Sequence, residues 1–149
     1  MARWRSGSAG SPARVRVNYA DVVGEPAGDT RGKVLVFATC YGNRNKPALV
    51  EDLVAVLEHN GIPTALTADE RCCGMPKFEM GDLDSVEKLK AQNIPELYRW
   101  VQQGFDLTAP IPSCVLMFKQ ELPLMYPDDE QVTAVRDAFY DPFEYLMIR

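Results

Sequence analysis

The sequence predicts an α/β fold in which a parallel β-sheet is flanked by helices. Short apolar runs alternate along the chain with longer segments whose apolar residues recur at helical spacing, in the order β-α-β-α-β-α. Parallel strands need long crossover connections, usually helices, so this alternation favours a parallel sheet. The composition of the 149-residue chain, 46% hydrophobic and 25% charged, is typical of one globular domain.

The first strand and the first helix are predicted between residues 34 and 61. Val34–Ala38 is a continuous apolar run, as expected of a strand that is covered on both faces. An apolar stripe at helical spacing follows, made of Leu49, Val50, Leu53, Val54 and Leu57. We therefore expect a helix capped by Asn45, with Pro47 in its first turn, that ends at Asn60-Gly61.

The second strand and its helix are predicted next. The strand lies around Pro63–Thr67, and Asp82 or Asp84 is positioned to cap the helix that follows. Pro95 stands inside the apolar pattern of this helix, so we expect a kink or a split there. Gly104 ends the helix.

The third strand is predicted at Phe105–Ile111. Ser113 is a candidate cap for a helix that begins at Cys114. Another helix is expected from about Asp129 to Ala138, and the type of the last segment, Phe143–Ile148, is left open.

Residues 1–31 are rich in Arg, Gly, Ser, Ala and Pro and show no sustained periodicity. We expect a flexible N-terminal tail there, followed by a cysteine-rich domain at residues 32–149. The tail has the arginines of a signal peptide but lacks the apolar stretch that should follow them. This pattern predicts a cytoplasmic protein.

Two classes of partner are disfavoured by the bulk properties of the chain. The formal net charge of −5 repels phosphate backbones, so nucleic acid is not an expected partner. The apolar run Val34–Ala38 falls far short of the roughly 20 residues that a membrane-spanning helix needs, and we expect no transmembrane segment.

The candidate site consists of four cysteines, namely Cys40, Cys72, Cys73 and Cys114. Each stands beyond the end of a predicted strand, and parallel strands open their carboxyl ends on one edge of a sheet, so we expect the sulfur atoms to converge there. Consecutive Cα atoms lie about 3.8 Å apart, below the roughly 4.4 Å at which disulfides begin, so Cys72 and Cys73 are poorly placed to bridge each other. Gly74 leaves room for the backbone to bend around a bulky cofactor.

Several interpretations of these cysteines remain open from the residues themselves. Soft thiolates select iron–sulfur clusters or zinc, and cysteines in a non-secreted chain bind metals or do redox chemistry more often than they form bridges. A structural zinc site usually has two short-spaced pairs, and only one pair is present. The alternatives are a non-catalytic zinc- or thiol-binding module, buried free thiols, and an inactive fragment of a larger redox protein.

The cysteine motifs are Cys40, then Arg-Cys-Cys-Gly-Met-Pro at residues 71–76, then Pro-Ser-Cys-Val-Leu-Met-Phe-Lys at residues 112–119. With this spacing the sequence resembles the cysteine-rich "CCG" domain shared by heterodisulfide reductases, anaerobic glycerol-3-phosphate dehydrogenases and related iron–sulfur oxidoreductases. The likeness runs from about Lys33 to the C-terminus, and of the types just named the sequence is most similar to the glycerol-3-phosphate dehydrogenase type.

The resemblance implies an iron–sulfur electron-transfer component of an oxidoreductase, with Cys40, Cys72, Cys73 and Cys114 as cluster ligands. Met117 stands where the family has its last cysteine, and a neutral thioether replaces an anionic bridging ligand poorly. The implied cofactor is therefore a four-thiolate cluster of the 4Fe–4S type rather than the non-cubane cluster of heterodisulfide reductases.

The resemblance also implies partners. Relatives of the glycerol-3-phosphate dehydrogenase type carry two such repeats and a ferredoxin-like domain, whereas this chain has a single repeat, so we expect a partial protein. The expected partners are a ferredoxin-like or flavoprotein dehydrogenase component, or a second cysteine-rich repeat. Such partners would place a cytoplasmic chain at the periphery of the inner membrane.

Overall fold

A four-stranded parallel β-sheet lies at the centre of the protein in a computed structural model that describes residues 32–149. The predicted tail of residues 1–31 lies outside the described residues. The strands are β1 (Val34–Val36), β2 (Thr64–Leu66), β3 (Asp106–Thr108) and β4 (Phe139–Tyr140), and their order across the sheet is β2-β1-β3-β4. Every neighbouring pair is parallel, with Val34 opposite both Thr64 and Asp106. The predicted fold class is confirmed.

Helices connect the strands and cover the sheet. They are α1 (Thr39–Arg44), α2 (Pro47–His59), α3 (Met75–Glu79), α4 (Leu83–Gln102), α5 (Pro112–Leu116), a π-helical turn (Met117–Glu121), α6 (Leu122–Met125), α7 (Glu130–Ala138) and α8 (Pro142–Ile148). Among residues 32–149, no helix combines the length and the apolar composition needed to span a bilayer.

Both faces of the sheet are buried, because alternate side chains of a strand point to opposite faces. Leu35 and Leu107 pack in one core with residues of α4 to α7, whereas Val34 and Val36 pack in a second core with residues of α2 and α8. Because helices cover both faces of the sheet, every side chain of the first strand is buried, and its sequence is therefore a continuous apolar run.

Three local predictions need correction. Asn45 does not cap α2: it ends the unpredicted helix α1, its backbone N–H donating to the carbonyl of Tyr41. Ser113 lies inside α5, which begins at Pro112. The segment after α7, whose type the sequence left open, forms β4 and α8.

The third correction concerns Pro95, which does not split α4. The helix is continuous over 20 residues and is capped by Asp82, whose side chain accepts from the Ser85 N–H. Ile94 and Leu97, on either side of the proline, are buried in the same core. Tertiary packing thus stabilises a helix that the local sequence disfavours.

Asp129 joins two helices of this core and gives a first testable prediction. Its carboxylate accepts from the N–H groups of Gln131 and Val132, which caps α7, and pairs with Lys90 of α4 at 2.5 Å. We expect Asp129→Ala to lower the free energy of unfolding by about 1–2 kcal/mol, the usual cost of losing such a cap, as measured by urea denaturation at neutral pH.

The effect should depend on pH. The hydrogen-bonded Lys90 lowers the pKa of Asp129, so its stabilising contribution is present above the ordinary pKa of about 3.9 and is lost as the pH falls through the lower folded-state pKa. The difference between wild type and Asp129→Ala should therefore shrink in strong acid. Asp137→Ala, which removes an exposed pair with Arg136, is the control and should change stability by less than about 0.5 kcal/mol. Equal losses in the two variants would contradict the prediction.

Candidate functional site

The four cysteines lie at the carboxyl edge of the sheet, on the connections that leave three different strands. Cys40 is in α1 after β1, Cys72 and Cys73 lie between β2 and α3, and Cys114 is in the first turn of α5 after β3. Parallel strands direct these connections to one edge. The structure thus brings together residues that are 74 positions apart in the chain.

The sulfur atoms form a row that runs from the surface into the core. The Cys40 Sγ lies 3.7 Å from the Cys72 Sγ, the thiol of Cys72 interacts with that of Cys73, and the thiol of Cys73 interacts with that of Cys114. Cys40 is exposed, Cys72 is half-buried, and Cys73 and Cys114 are each only 4% exposed. We call this arrangement the sulfur row.

Burial and mutual contact raise the pKa values of three thiols of the sulfur row, those of Cys40, Cys72 and Cys73. The pKa of Cys72 is raised by its hydrogen bond to Cys73 and then by burial, and that of Cys73 is raised chiefly by its hydrogen bond to Cys114. Burial, together with the nearby Cys72, raises the pKa of Cys40. Several adjacent thiolates would therefore need a cationic centre to compensate their charge.

Gly74 shapes the turn that follows the cysteine pair. Its φ of +100° lies in a region that side chains rarely adopt, and its carbonyl accepts from the N–H groups of Lys77 and Phe78 at 2.9 Å, which starts α3. A Cβ atom at this position would lie 3.5 Å from the Cε of Met117. Gly74 is therefore required by backbone conformation, directly beside the buried Cys73.

Met117 lies at the inner side of the site and is fully buried. It begins the π-helical turn between α5 and α6. Pro123, just beyond, has no N–H for the carbonyl of Lys119, and the wider turn accommodates its ring. The thioether packs in the same core as Cys73 and Cys114.

Two polar side chains that sequence reasoning missed contact the cysteine-bearing segments. Glu70, between β2 and Cys72, accepts hydrogen bonds from the backbone of Ala38 and the side chain of Asn43. Asn93, 3% exposed on α4, bonds to the backbone of Arg71 and Cys72. The sequence offered one indication of the role of Asn93, namely a polar amide side chain on the apolar face of a predicted helix.

The backbone on the N-terminal side of Cys40 is also unusual. Thr39 has a φ of +68°, and within residues 32–149 it is the one residue other than glycine with a positive φ. This conformation is rare for a β-branched side chain, and the hydroxyl of Thr39 accepts from the Gly42 N–H at 3.0 Å. Strain of this kind persists only where the surroundings impose it, and here it sets the direction of α1 and of Cys40.

The side chains of residues 32–149 contain no group of three or more His, Cys, Asp or Glu positioned around a single metal ion. A row of four sulfurs differs from the closed tetrahedron of a structural zinc site. In an iron–sulfur cluster the cysteine thiolates bind different iron atoms, so such a cofactor does not need all four sulfurs around one ion.

Comparison with known proteins adds independent findings. The sequence model of the CCG family, described as "Cysteine-rich domain", matches residues 34–119, a span that contains the whole sulfur row, Gly74 and Met117. No solved structure matches the chain significantly.

Several curated relatives are much longer than this chain. The C subunit of the anaerobic glycerol-3-phosphate dehydrogenase of Escherichia coli K12 is 29% identical over 106 residues, which covers 70% of this chain and 26% of that protein. Lactate utilization protein A of Exiguobacterium sp. is 27% identical over 96 residues, which covers 64% of this chain and 38% of that protein. An uncharacterized iron–sulfur protein of Methanocaldococcus jannaschii is 29% identical over 69 residues, which covers 46% of this chain and 14% of that protein. The chain thus spans less than two fifths of the length of each of these relatives.

Proposed function

We propose, since the chain belongs to the cysteine-rich CCG domain family, that it is an iron–sulfur electron-transfer component of an oxidoreductase. The observation that carries the proposal is the sulfur row, in which four thiols from three connections meet at one edge of the sheet. Soft thiolates at a shared site suit iron–sulfur chemistry.

The residues of the site fit such a cofactor. Cys40, Cys72, Cys73 and Cys114 would be its ligands, in a cluster of the 4Fe–4S type. The raised pKa values of Cys40, Cys72 and Cys73 disfavour their thiolates while the sulfurs face only one another, and iron ions would supply the positive charge that stabilises the thiolates. Met117 offers a thioether where a fifth thiolate would be needed for a non-cubane cluster.

The chain's own residues would give the site an inner and an outer side. When bound, the cluster supplies a centre that takes up and releases single electrons. Cys73 and Cys114, buried among core side chains, exclude water from its inner side. Cys40 is exposed and marks the side from which a redox partner would exchange electrons.

The partners follow from the relatives by analogy. One relative is named as part of a glycerol-3-phosphate dehydrogenase and another as a lactate utilization protein. We propose that this chain works with a ferredoxin-like or flavoprotein dehydrogenase component, or with a second cysteine-rich repeat. We also propose a cytoplasmic location, at the periphery of the inner membrane where the partners are membrane-associated.

Anaerobic reconstitution of the full chain tests the proposal. With ferrous iron and sulfide we expect a brown protein with broad visible absorbance and a paramagnetic signal in one redox state. A parallel sample receives zinc alone. A colourless, iron-free product would overturn the proposal, and one equivalent of zinc whose removal unfolds the chain would favour a structural metal site instead.

A further inference from the structure

Glu70 lies between two cysteine-bearing segments and binds both. One carboxylate oxygen accepts from the backbone N–H of Ala38 at 2.9 Å and from the hydroxyl of Thr67. The other accepts from the side-chain amide of Asn43 at 2.5 Å. A single half-buried carboxylate thus connects the end of β1, helix α1 and the loop after β2.

Two of these donors flank Cys40 along the chain. Ala38 is two residues before it and Asn43 three residues after it, so Glu70 attaches α1 at both ends. Glu70 itself is two residues before Cys72, whose Sγ lies 3.7 Å from that of Cys40. The same contacts that join the two segments therefore set the distance between the two sulfurs.

A carboxylate suits this position better than any neutral side chain. Its two oxygens face donors from three residues, and hydrogen bonds to an ionised acceptor are shorter and stronger than those to a neutral one. Glutamine has one carbonyl oxygen and one NH2 group, so it would place a donor against the N–H of Ala38 or the amide of Asn43. Glu70→Gln is therefore a change of nearly equal size that removes the attachment.

Asn93 holds the other side of the same loop independently. Its Oδ1 accepts from the Arg71 N–H at 2.8 Å, and its Nδ2 donates to the Cys72 carbonyl at 3.0 Å. These bonds attach the cysteine pair to α4. Loss of Glu70 should therefore release Cys40 from the sulfur row while Cys72 and Cys73 stay in place.

We propose that Glu70 is a positioning residue that holds Cys40 against Cys72 and so makes Cys40 available as the fourth sulfur of the site. The role of Cys40 as a cluster ligand rests on the proposed function, whereas the close approach of the Cys40 and Cys72 sulfurs does not. The proposal can therefore be tested on the metal-free chain.

The test measures cross-linking of Cys40 to Cys72 in the full, reduced, metal-free chain with a short dibromo reagent that alkylates two neighbouring thiols. Trypsin cleaves after Arg44 and Arg71, so Cys40 and Cys72 fall in different peptides, and fragmentation of the linked peptides between Cys72 and Cys73 identifies which of the two is joined to Cys40. We expect a high yield in wild type, a several-fold lower yield in Glu70→Gln, and partial recovery in Glu70→Asp. Glu79→Gln, an exposed carboxylate at the end of α3, is the charge-matched control and should cross-link as wild type.

Asn43→Ala keeps the carboxylate and removes one donor, so it covers the case in which Glu70→Gln does not fold. Its cross-linking yield should lie between those of wild type and Glu70→Gln. A wild-type yield in either variant would overturn the proposal.

Iron binding by the reconstituted protein is a second measurement of the same proposal. Glu70→Gln should bind iron about tenfold more weakly, as is usual when a residue that orients a ligand is lost, with an altered paramagnetic signal. If wild type takes up no cluster and Glu70→Gln still lowers the cross-linking yield, the proposed function fails and the positioning role stands. If Glu70→Gln cross-links as well as wild type does, and wild type takes up a cluster, the positioning role fails and the proposed function stands.

Discussion

Replacing Cys73 with serine is expected to abolish iron binding by the reconstituted protein almost completely. Cys73 lies in the middle of the sulfur row, where its thiol interacts with Cys72 and Cys114, and is 4% exposed. A serine hydroxyl is a hard, weakly acidic donor at a site that needs a soft thiolate. The loss should exceed the roughly 10–100-fold decrease in affinity that follows from changing residues that only orient ligands. Iron and sulfide content after anaerobic reconstitution measures it.

The loss of iron should be smaller when the replaced cysteine lies at the exposed end of the sulfur row than when it lies in the middle. Cys40→Ser alters the exposed end of the sulfur row and should leave a labile centre on the three remaining thiolates. Ala65→Ser, which also places a hydroxyl in the core but on β2, is the control: it should lower stability and leave the iron content unchanged. A Cys73→Ser protein with wild-type iron content would show that Cys73 is not a ligand.

Gly74→Val should have the second largest effect, on stability and on iron content together. A side chain in the left-handed region costs about 1–2 kcal/mol, and the methyl groups of valine would crowd Met117, Leu89 and Val86. We expect a loss of about 3 kcal/mol in the free energy of unfolding from these two causes. Since Gly74 directly follows Cys73, the displaced turn should also prevent cluster assembly.

A second glycine separates backbone strain from damage to the site. Gly81 has a φ of +74° and no atom within 4 Å of an added Cβ, and it is exposed. Gly81→Val should cost about 1–2 kcal/mol in urea denaturation and keep the full iron content. Gly74→Asn, which tolerates positive φ, should be milder than Gly74→Val. Equal iron loss in Gly81→Val and Gly74→Val would contradict the expectation.

The elements that were predicted correctly have strong local signals. The stripe of α2, the Asp82 cap of α4 and the apolar run of β1 each follow from side-chain periodicity or capping chemistry within a few residues. The missed elements lack such signals. β4 has only two residues, Phe139 and Tyr140, and exists because β3 pairs with it.

Helix α1 was missed for a related reason. Its sequence, Thr-Cys-Tyr-Gly-Asn-Arg, contains poor helix formers, and its first residue has a positive φ. Its placement depends on hydrogen bonds from Ala38 and Asn43 to Glu70, 32 and 27 positions along the chain. No local rule connects residues at that separation.

The amino-acid sequence alone establishes the α/β alternation and the family, and it predicts the convergence of four cysteines at one edge, because parallel strands open on the same side whatever their loops contain. The order of the sulfurs, the burial of each one, and the contacts of Glu70 and Asn93 beside them emerge only in the folded chain. These features arise from hydrogen bonds and packing between distant segments, whose energies depend on distances that exist only after the chain has folded.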